Sequence, residues 1–327
     1  MALTPWYAGL TAFLASVLAV PPVARLARGL GIVDRPGPLK VQTAPVPYLG
    51  GLAVLVGMLA AAWTRVFERE VAVAALLPLG LALALGIADD ARDLPVALRV
   101  VGELGIGLAL AWAIPSRLGA AGWVLIVLLA VLVINGINLL DGLDGVAAGV
   151  TIASSVGFAV LLTGAGRIAA LTCLGAVAGF LVHNRPPARI YLGDGGSYLL
   201  GTSLALLVAM SWTSKAAIAT SVVSLLFVAL PAAEVAWAVV RRRRARLPLL
   251  AGDRGHSYDR LASRGWGTLT VAAVTAGAQL ALVAVGLAAA HSSSAVAAVV
   301  VVAAATALMA VGAAAGFLAP AGSERIG

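Results

Sequence analysis

The chain is 327 residues long, 61% hydrophobic and only 11% charged, with a mean hydropathy of +1.03. A soluble domain is nearer one quarter charged, so the composition excludes one and indicates a polytopic membrane protein. The net charge of +8 does not argue for nucleic acid, because the Arg241–Arg244 run follows an apolar segment directly and reads as a cytoplasmic stop and a lipid-headgroup contact.

About eleven apolar segments are expected as transmembrane helices, at roughly 5–24, 48–64, 71–88, 98–114, 121–138, 146–163, 168–183, 196–212, 216–240, 268–290 and 295–319. Most are near the ~20 residues that cross a bilayer. The first run, from Pro5 to Pro22, leads into a basic loop without a small-residue cleavage site, so no cleavable signal peptide is expected. The loop from Asp34 to Gly51 is too polar and proline-rich for helix. It carries Lys40, which can neutralise a phosphate or meet a lipid headgroup. Asp89 and Asp90 close the third segment. Adjacent carboxylates repel, so a divalent cation or a bound proton is needed there, unless the pair is a solvated cap for the next helix. That next segment, 98–114, is the weakest because Glu103 interrupts it.

The stretch from Asn138 to Gly149 is more specific. Asn135 and Asn138 end an apolar segment, where each amide needs a partner. Asp141 and Asp144 would share a face in a helical turn, and Gly142 and Gly145 allow close approach of a ligand. The alternation of ligands required for a calcium loop is absent. Cys173 lies mid-segment and reads as core packing; alone, it excludes an intrachain disulfide. After His183 and Asn184, Pro186-Pro187 breaks the helix, and Tyr191 precedes Gly193-Asp194-Gly195-Gly196-Ser197. This is expected as a flexible acidic turn, offering a carboxylate to metal and N–H groups to phosphate. The long loop after 246 places Arg254 and His256 among Asp253 and Asp259, which suits phosphate binding. The Ala/Val-rich tail from Ala295 to Ala315 reads as a lipid-facing helix.

With the N-terminus outside, 17 of the 22 Lys and Arg fall in inside loops, the orientation the positive-inside rule favours. The C-terminus is then inside. The same assignment gathers all nine Asp on the cytoplasmic face. Function is therefore expected on cytoplasmic loops of one transmembrane domain spanning 1–327, all-α in class.

These blocks, in this order, resemble the polyprenyl-phosphate N-acetylhexosamine-1-phosphate transferases (the MraY/WecA superfamily) from about Val33 to Trp266. Asn138-Leu-Leu-Asp141-Gly-Leu-Asp144-Gly145 and Gly193-Asp194-Gly-Gly-Ser197 carry the resemblance most specifically. It implies transfer of a sugar 1-phosphate from a UDP-N-acetyl sugar to a membrane polyprenyl phosphate, with loss of UMP and a requirement for Mg²⁺ or Mn²⁺. It implies Asp89, Asp90, Asp144 and His256 as catalytic residues, with Asp89 orienting or deprotonating the lipid phosphate. Asp194, with Asp90, would bind metal. Lys40, Asn138, Asp141, Gly142, Asn184, Tyr191 and Arg254 would bind substrate, Tyr191 against uracil. A homodimer follows from the family alone.

Two departures bear on the sugar. Many relatives have His-x-His-His where this chain reads His256-Ser-Tyr-Asp259, and Arg-Lys-x-His where it reads Leu39-Lys40-Val41-Gln42. The expectation is a GlcNAc-type enzyme of the cell membrane acting in cell-envelope polysaccharide synthesis, with a phospho-MurNAc-pentapeptide transferase as the alternative. An ion-coupled transporter would also place acids in membrane segments, but nearer the midplane and often with inverted repeats. A non-catalytic scaffold leaves the clustered aspartates without a cause.

Overall fold

A computed structural model describes residues 4–36, 44–64, 69–213, 217–248 and 255–320. Each expected apolar segment is helical within them. The helices are α1 (Thr4–Gly29), α2 (Gly50–Trp63), α3 (Arg69–Arg92), α4 (Val96–Ala113), α5 (Gly119–Leu140), α6 (Val146–Leu161), α7 (Gly164–Asn184) and α8 (Gly193–Ser211). They continue as α9 (Ile218–Val223), a 3₁₀ turn (Ser224–Val228), α10 (Ala229–Arg244), α11 (Ser257–Ser263), α12 (Thr268–Ala289) and α13 (Ser294–Ala314). Among the described residues, seven helices are long and apolar enough to cross a membrane, α9 and α10 counting together as one. The protein is an all-α, multi-pass membrane protein.

Packing explains which helix lies where. Nearly every residue of α8 is buried, as expected of a helix that is apolar all round. It is flanked by α3, α5 and α2. Two glycine contacts permit this: a Cβ on Gly51 would collide with the Gly196 backbone, and one on Gly86 with the backbone of Asp194. At the opposite extreme, only Ala297 and Gly312 of α13 are buried, in agreement with a lipid-facing helix. Cys173 is buried and unbridged.

Several expectations are revised. Helix α1 runs through Pro21 and Pro22 to Gly29, so Arg25 and Arg28 sit on its last turns rather than in a loop. Membrane helices tolerate such prolines because neighbouring groups can satisfy the freed carbonyls. The loop before α2 contains a short antiparallel pair, β1 (Val33–Asp34) with β2 (Val46–Pro47). Residues 141–145 form turns rather than helix, with Gly145 at φ 77°. Residues 193–197 are the first turn of α8, not a flexible loop. Glu103 interrupts the apolar run of α4 as expected but is not left unpaired; it is buried and accepts a 2.6 Å hydrogen bond from Asn135 Nδ2 on α5.

The Arg241–Arg244 run is also more than a headgroup contact. Arg241 is 1% exposed and Arg242 is buried. Arg241 Nη1 donates to the Phe317 carbonyl at 3.0 Å and Arg244 Nη1 to that of Leu318 at 3.4 Å. From α11 and just beyond it, Arg260 donates to the Ala319 carbonyl and Arg264 to that of Ala315. The turn after α13 is thus clasped by guanidinium groups against its outgoing carbonyls, where cations are favoured, and Phe317 packs on Trp237.

Candidate active site

One end of the bundle gathers the termini of α3, α5, α7 and α8 with the starts of α4 and α6. Asp89 is 4% exposed and fully partnered. Its Oδ2 accepts from Tyr198 OH at 2.9 Å and Arg99 Nη1 at 3.2 Å, and its Oδ1 from the Leu94 amide at 3.0 Å. Asp90 faces the other way. Its two oxygens accept from the amides of Asp194 at 3.0 Å and Gly195 at 3.2 Å. These are N–H groups that an α-helix start leaves without intrahelical partners. Asp90 therefore caps α8 from another helix, and those amides face a carboxylate rather than being presented to phosphate.

Asp194 is held from α5. Asn138 Nδ2 donates to Asp194 Oδ1 at 2.7 Å and lies 3.1 Å from Ser197 Oγ. Ser197 Oγ in turn donates to the Asp194 carbonyl at 3.2 Å. The need of Asn138 for a partner at the end of α5 is met by the acidic residue itself. Asn184 is equally committed: it accepts from the Gly145 amide and donates to the Ile190 carbonyl, both at 3.0 Å. It pins the 141–145 turn to the 185–192 loop. Asp144 Oδ2 accepts from the Ala188 amide at 2.9 Å. Burial raises the Asp144 carboxyl above its ordinary value, with the Ala188 bond pulling the other way.

Asp141 differs. Its side chain has no hydrogen-bond partner among the described residues. Burial first, then the charges of Asp194, Asp90 and Asp144, push its carboxyl well above the usual range. The repulsion identifies four carboxylates that sense one another. No three His, Cys, Asp or Glu side chains close into a metal cage among the described residues. A magnesium site completed by substrate phosphates and water needs only one or two carboxylates from the protein.

The rim is aromatic. The Tyr191 amide donates to the Pro47 carbonyl at 2.9 Å, and its ring lies 6.1 Å from that of Tyr48. Burial, then the charges of Asp144 and Asp34, push the Tyr191 phenol up to about 12. The Tyr48 phenol is hydrogen-bonded to Asp34 and is raised as well, mainly by burial. Gly142 is a close approach, but to protein: a Cβ there would overlap the Tyr258 hydroxyl. Tyr258 stacks on His256 at 5.6 Å between centroids, and His256 Nδ1 lies 3.0 Å from Glu234 Oε1. Lys40 and Arg254 fall outside the described residues.

The geometry therefore joins Asp89, Asp90, Asn138 and Asp194 directly, and Asp141 and Asp144 through their charges. His256 is linked to this group through Tyr258 and Gly142. Sequence reasoning missed Tyr198 and Tyr48 as site residues. It also gave no role to Glu234, whose signal is a lone acid in an apolar run.

Residues 72–212 match the sequence profile described as glycosyl transferase family 4. The chain is 30% identical over 276 residues to a Bacillus subtilis protein named "probable undecaprenyl-phosphate N-acetylglucosaminyl 1-phosphate transferase", covering 78% of this chain and 77% of that one. It is 29% identical over 309 residues to a Mycobacterium tuberculosis decaprenyl-phosphate N-acetylglucosaminephosphotransferase (79% and 75% covered). It is also 32% identical over 227 residues to a Moorella thermoacetica phospho-N-acetylmuramoyl-pentapeptide-transferase (59% and 71% covered).

Proposed function

The chain belongs to glycosyl transferase family 4, and from that premise we propose that it transfers N-acetylglucosamine 1-phosphate from UDP-GlcNAc to undecaprenyl or another polyprenyl phosphate. UMP leaves, and a polyprenyl-diphosphate sugar remains in the membrane. The observation that carries this reading is the convergence of Asp89, Asp90, Asn138 and Asp194 from α3, α5 and α8 at one bundle end. The charge asymmetry of the loops supports a cytoplasmic location for that end.

In the reaction, an oxygen of the lipid phosphate forms a bond to the sugar-bearing phosphorus. The bond from that phosphorus to the oxygen bridging to the UMP phosphorus breaks, and UMP departs with the bridging oxygen. We propose a single in-line displacement without an enzyme-bound intermediate, because the lipid phosphate is already a nucleophile near neutral pH. The protein's task is then positioning and charge compensation. Tyr191, beside Tyr48, offers an aromatic face to the base. The 141–145 turn, fixed by Asn184, sets where the diphosphate lies.

A divalent cation fits the residues present. Asp141 is a carboxylate without a hydrogen-bond partner among the described residues, raised first by burial and then by three neighbouring acids, and hard oxygen donors suit Mg²⁺ or Mn²⁺. Asp194 and Asp141 would hold it, with Asp90 behind them. When bound, it would offset the repulsion between the two anionic substrates. Arg99, paired with Asp89, keeps that carboxylate oriented beside the same corner.

Incubation of the purified protein with a panel of UDP-sugars, undecaprenyl phosphate and Mg²⁺, followed by mass analysis of the lipid, tests the proposal. UMP release with a GlcNAc-diphospholipid is expected. A product only with the muramoyl-pentapeptide donor would move the chain to the other branch, and no UMP with any donor would refute the reaction class.

A further inference from the structure

We propose that Glu234 is a positioning residue for His256: it takes a hydrogen bond from Nδ1 of the imidazole and so fixes the orientation of the ring behind the 141–145 turn. The inference rests on the transferase reading above. Glu234 lies on α10 and is 0% exposed. Its Oε1 is 3.0 Å from His256 Nδ1 and accepts from the Ser257 amide at 3.2 Å. An ionised carboxylate only accepts, so the proton of this contact sits on Nδ1.

Two observations say that the pair is more than packing. First, Glu234 Oε2 is buried with no hydrogen-bond partner among the described residues. A buried carboxylate left half-satisfied is costly, and an apolar side chain of similar size would serve the fold as well or better. Second, the pair lies next to the site. The His256 ring lies nearly parallel to Tyr258, with 14° between planes, and the Tyr258 hydroxyl abuts Gly142. The imidazole is thus separated by one ring from the turn that carries Asp141 and Asp144. Among the described residues, the charged groups around it include Glu234 and Arg241 from α10, and Asp259 and Arg260 from α11. Arg241 packs on Gly255, the Asp259 carboxylate accepts from the His256 amide, and Arg260 Nε donates to the Gly255 carbonyl. Asp141 and Asp144 lie across Tyr258. These contacts fix the backbone at 255–256, while Glu234 fixes the ring.

The test measures UMP release by the full chain with UDP-GlcNAc, undecaprenyl phosphate and Mg²⁺. The variants are Glu234→Gln, Glu234→Asp, His256→Ala and the Gln/Ala double. Glu234→Gln should lower kcat roughly ten- to a hundred-fold. Glu234→Asp should restore part of the rate, and Glu234→Gln should cost nothing further on the His256→Ala background. The same fold-loss with and without His256, or no rescue by Glu234→Asp, overturns the proposal while leaving the transferase reading intact. If the wild type releases no UMP, ¹⁵N labelling of the histidines still decides the matter. The His256 ring should carry its proton on Nδ1 in the wild type and on Nε2 in Glu234→Leu; a wild-type ring protonated on Nε2 overturns the proposal.

Discussion

Asp89 and Asp141 are both acidic residues at the ends of apolar helices on the same bundle end, yet their surroundings are opposite. Asp89 has a guanidinium, a phenol and a backbone amide on its two oxygens. Asp141 has three other carboxylates for electrostatic neighbours and no hydrogen bond to its side chain among the described residues. At the first corner the protein supplies the compensating charge itself; at the turn no cation among the described residues does so. The contrast separates residues that hold the site's shape from residues that await a ligand, and mutation should divide them in the same way.

The largest effect is expected at Asp194, which lies between the two corners. Asp194→Asn should lower UMP release at least a thousand-fold, about 4 kcal/mol in the barrier, while the protein still reaches the membrane. Ordinary turnover in that variant would remove the site from this end of the bundle. Next comes Asp89→Ala, expected to cost about 2–3 kcal/mol of folding stability in detergent. It strands a buried phenol and a guanidinium, and the half-wet Arg99 keeps the figure at the low end. Equal stability of this variant and the wild type would erase the distinction drawn above.

Asp141→Asn should have the opposite sign: activity lost, but the metal-free protein unchanged or about 1 kcal/mol more stable, since a repelled charge has gone. The pH dependence sharpens this. The raised Asp141 carboxyl means that the folded chain binds more protons than the unfolded one, starting from the ordinary value of 3.8. Metal-free stability should therefore fall as pH rises above that value, and acidification should restore it. Mg²⁺ should flatten the slope in the wild type and not in Asp141→Asn, as read by thermal unfolding in chelator and in Mg²⁺. The smallest effect is expected for Ser197→Ala, about 1 kcal/mol in stability with turnover retained, because Asn138 still reaches Asp194 directly.

The helices were legible because each apolar run is long, and the acidic blocks were legible because charge there needs a reason. What the sequence hid is where each polar group finds its partner. Gly193-Asp194-Gly195-Gly196 has the composition of a loop, and becomes helix because Asp90, 104 positions earlier, caps its amides. Glu103 reads as an interruption until Asn135 is placed against it. Gly142 reads as room for a ligand and is room for Tyr258. The charge pattern announced that the arginines of 241–244 lie at a helix end, but not that half of them are inside the protein.

The arginine clasp around residues 315–319 has a practical corollary. Shortening the polypeptide to residue 314 would remove only lipid-side chain by sequence standards. It would nonetheless leave Arg241 and Arg260, both within the fold, without the carbonyls that now receive them. Since both side chains also brace Gly255, the injury would travel to the neighbouring histidine. Affinity tags belong after this turn, never in place of it.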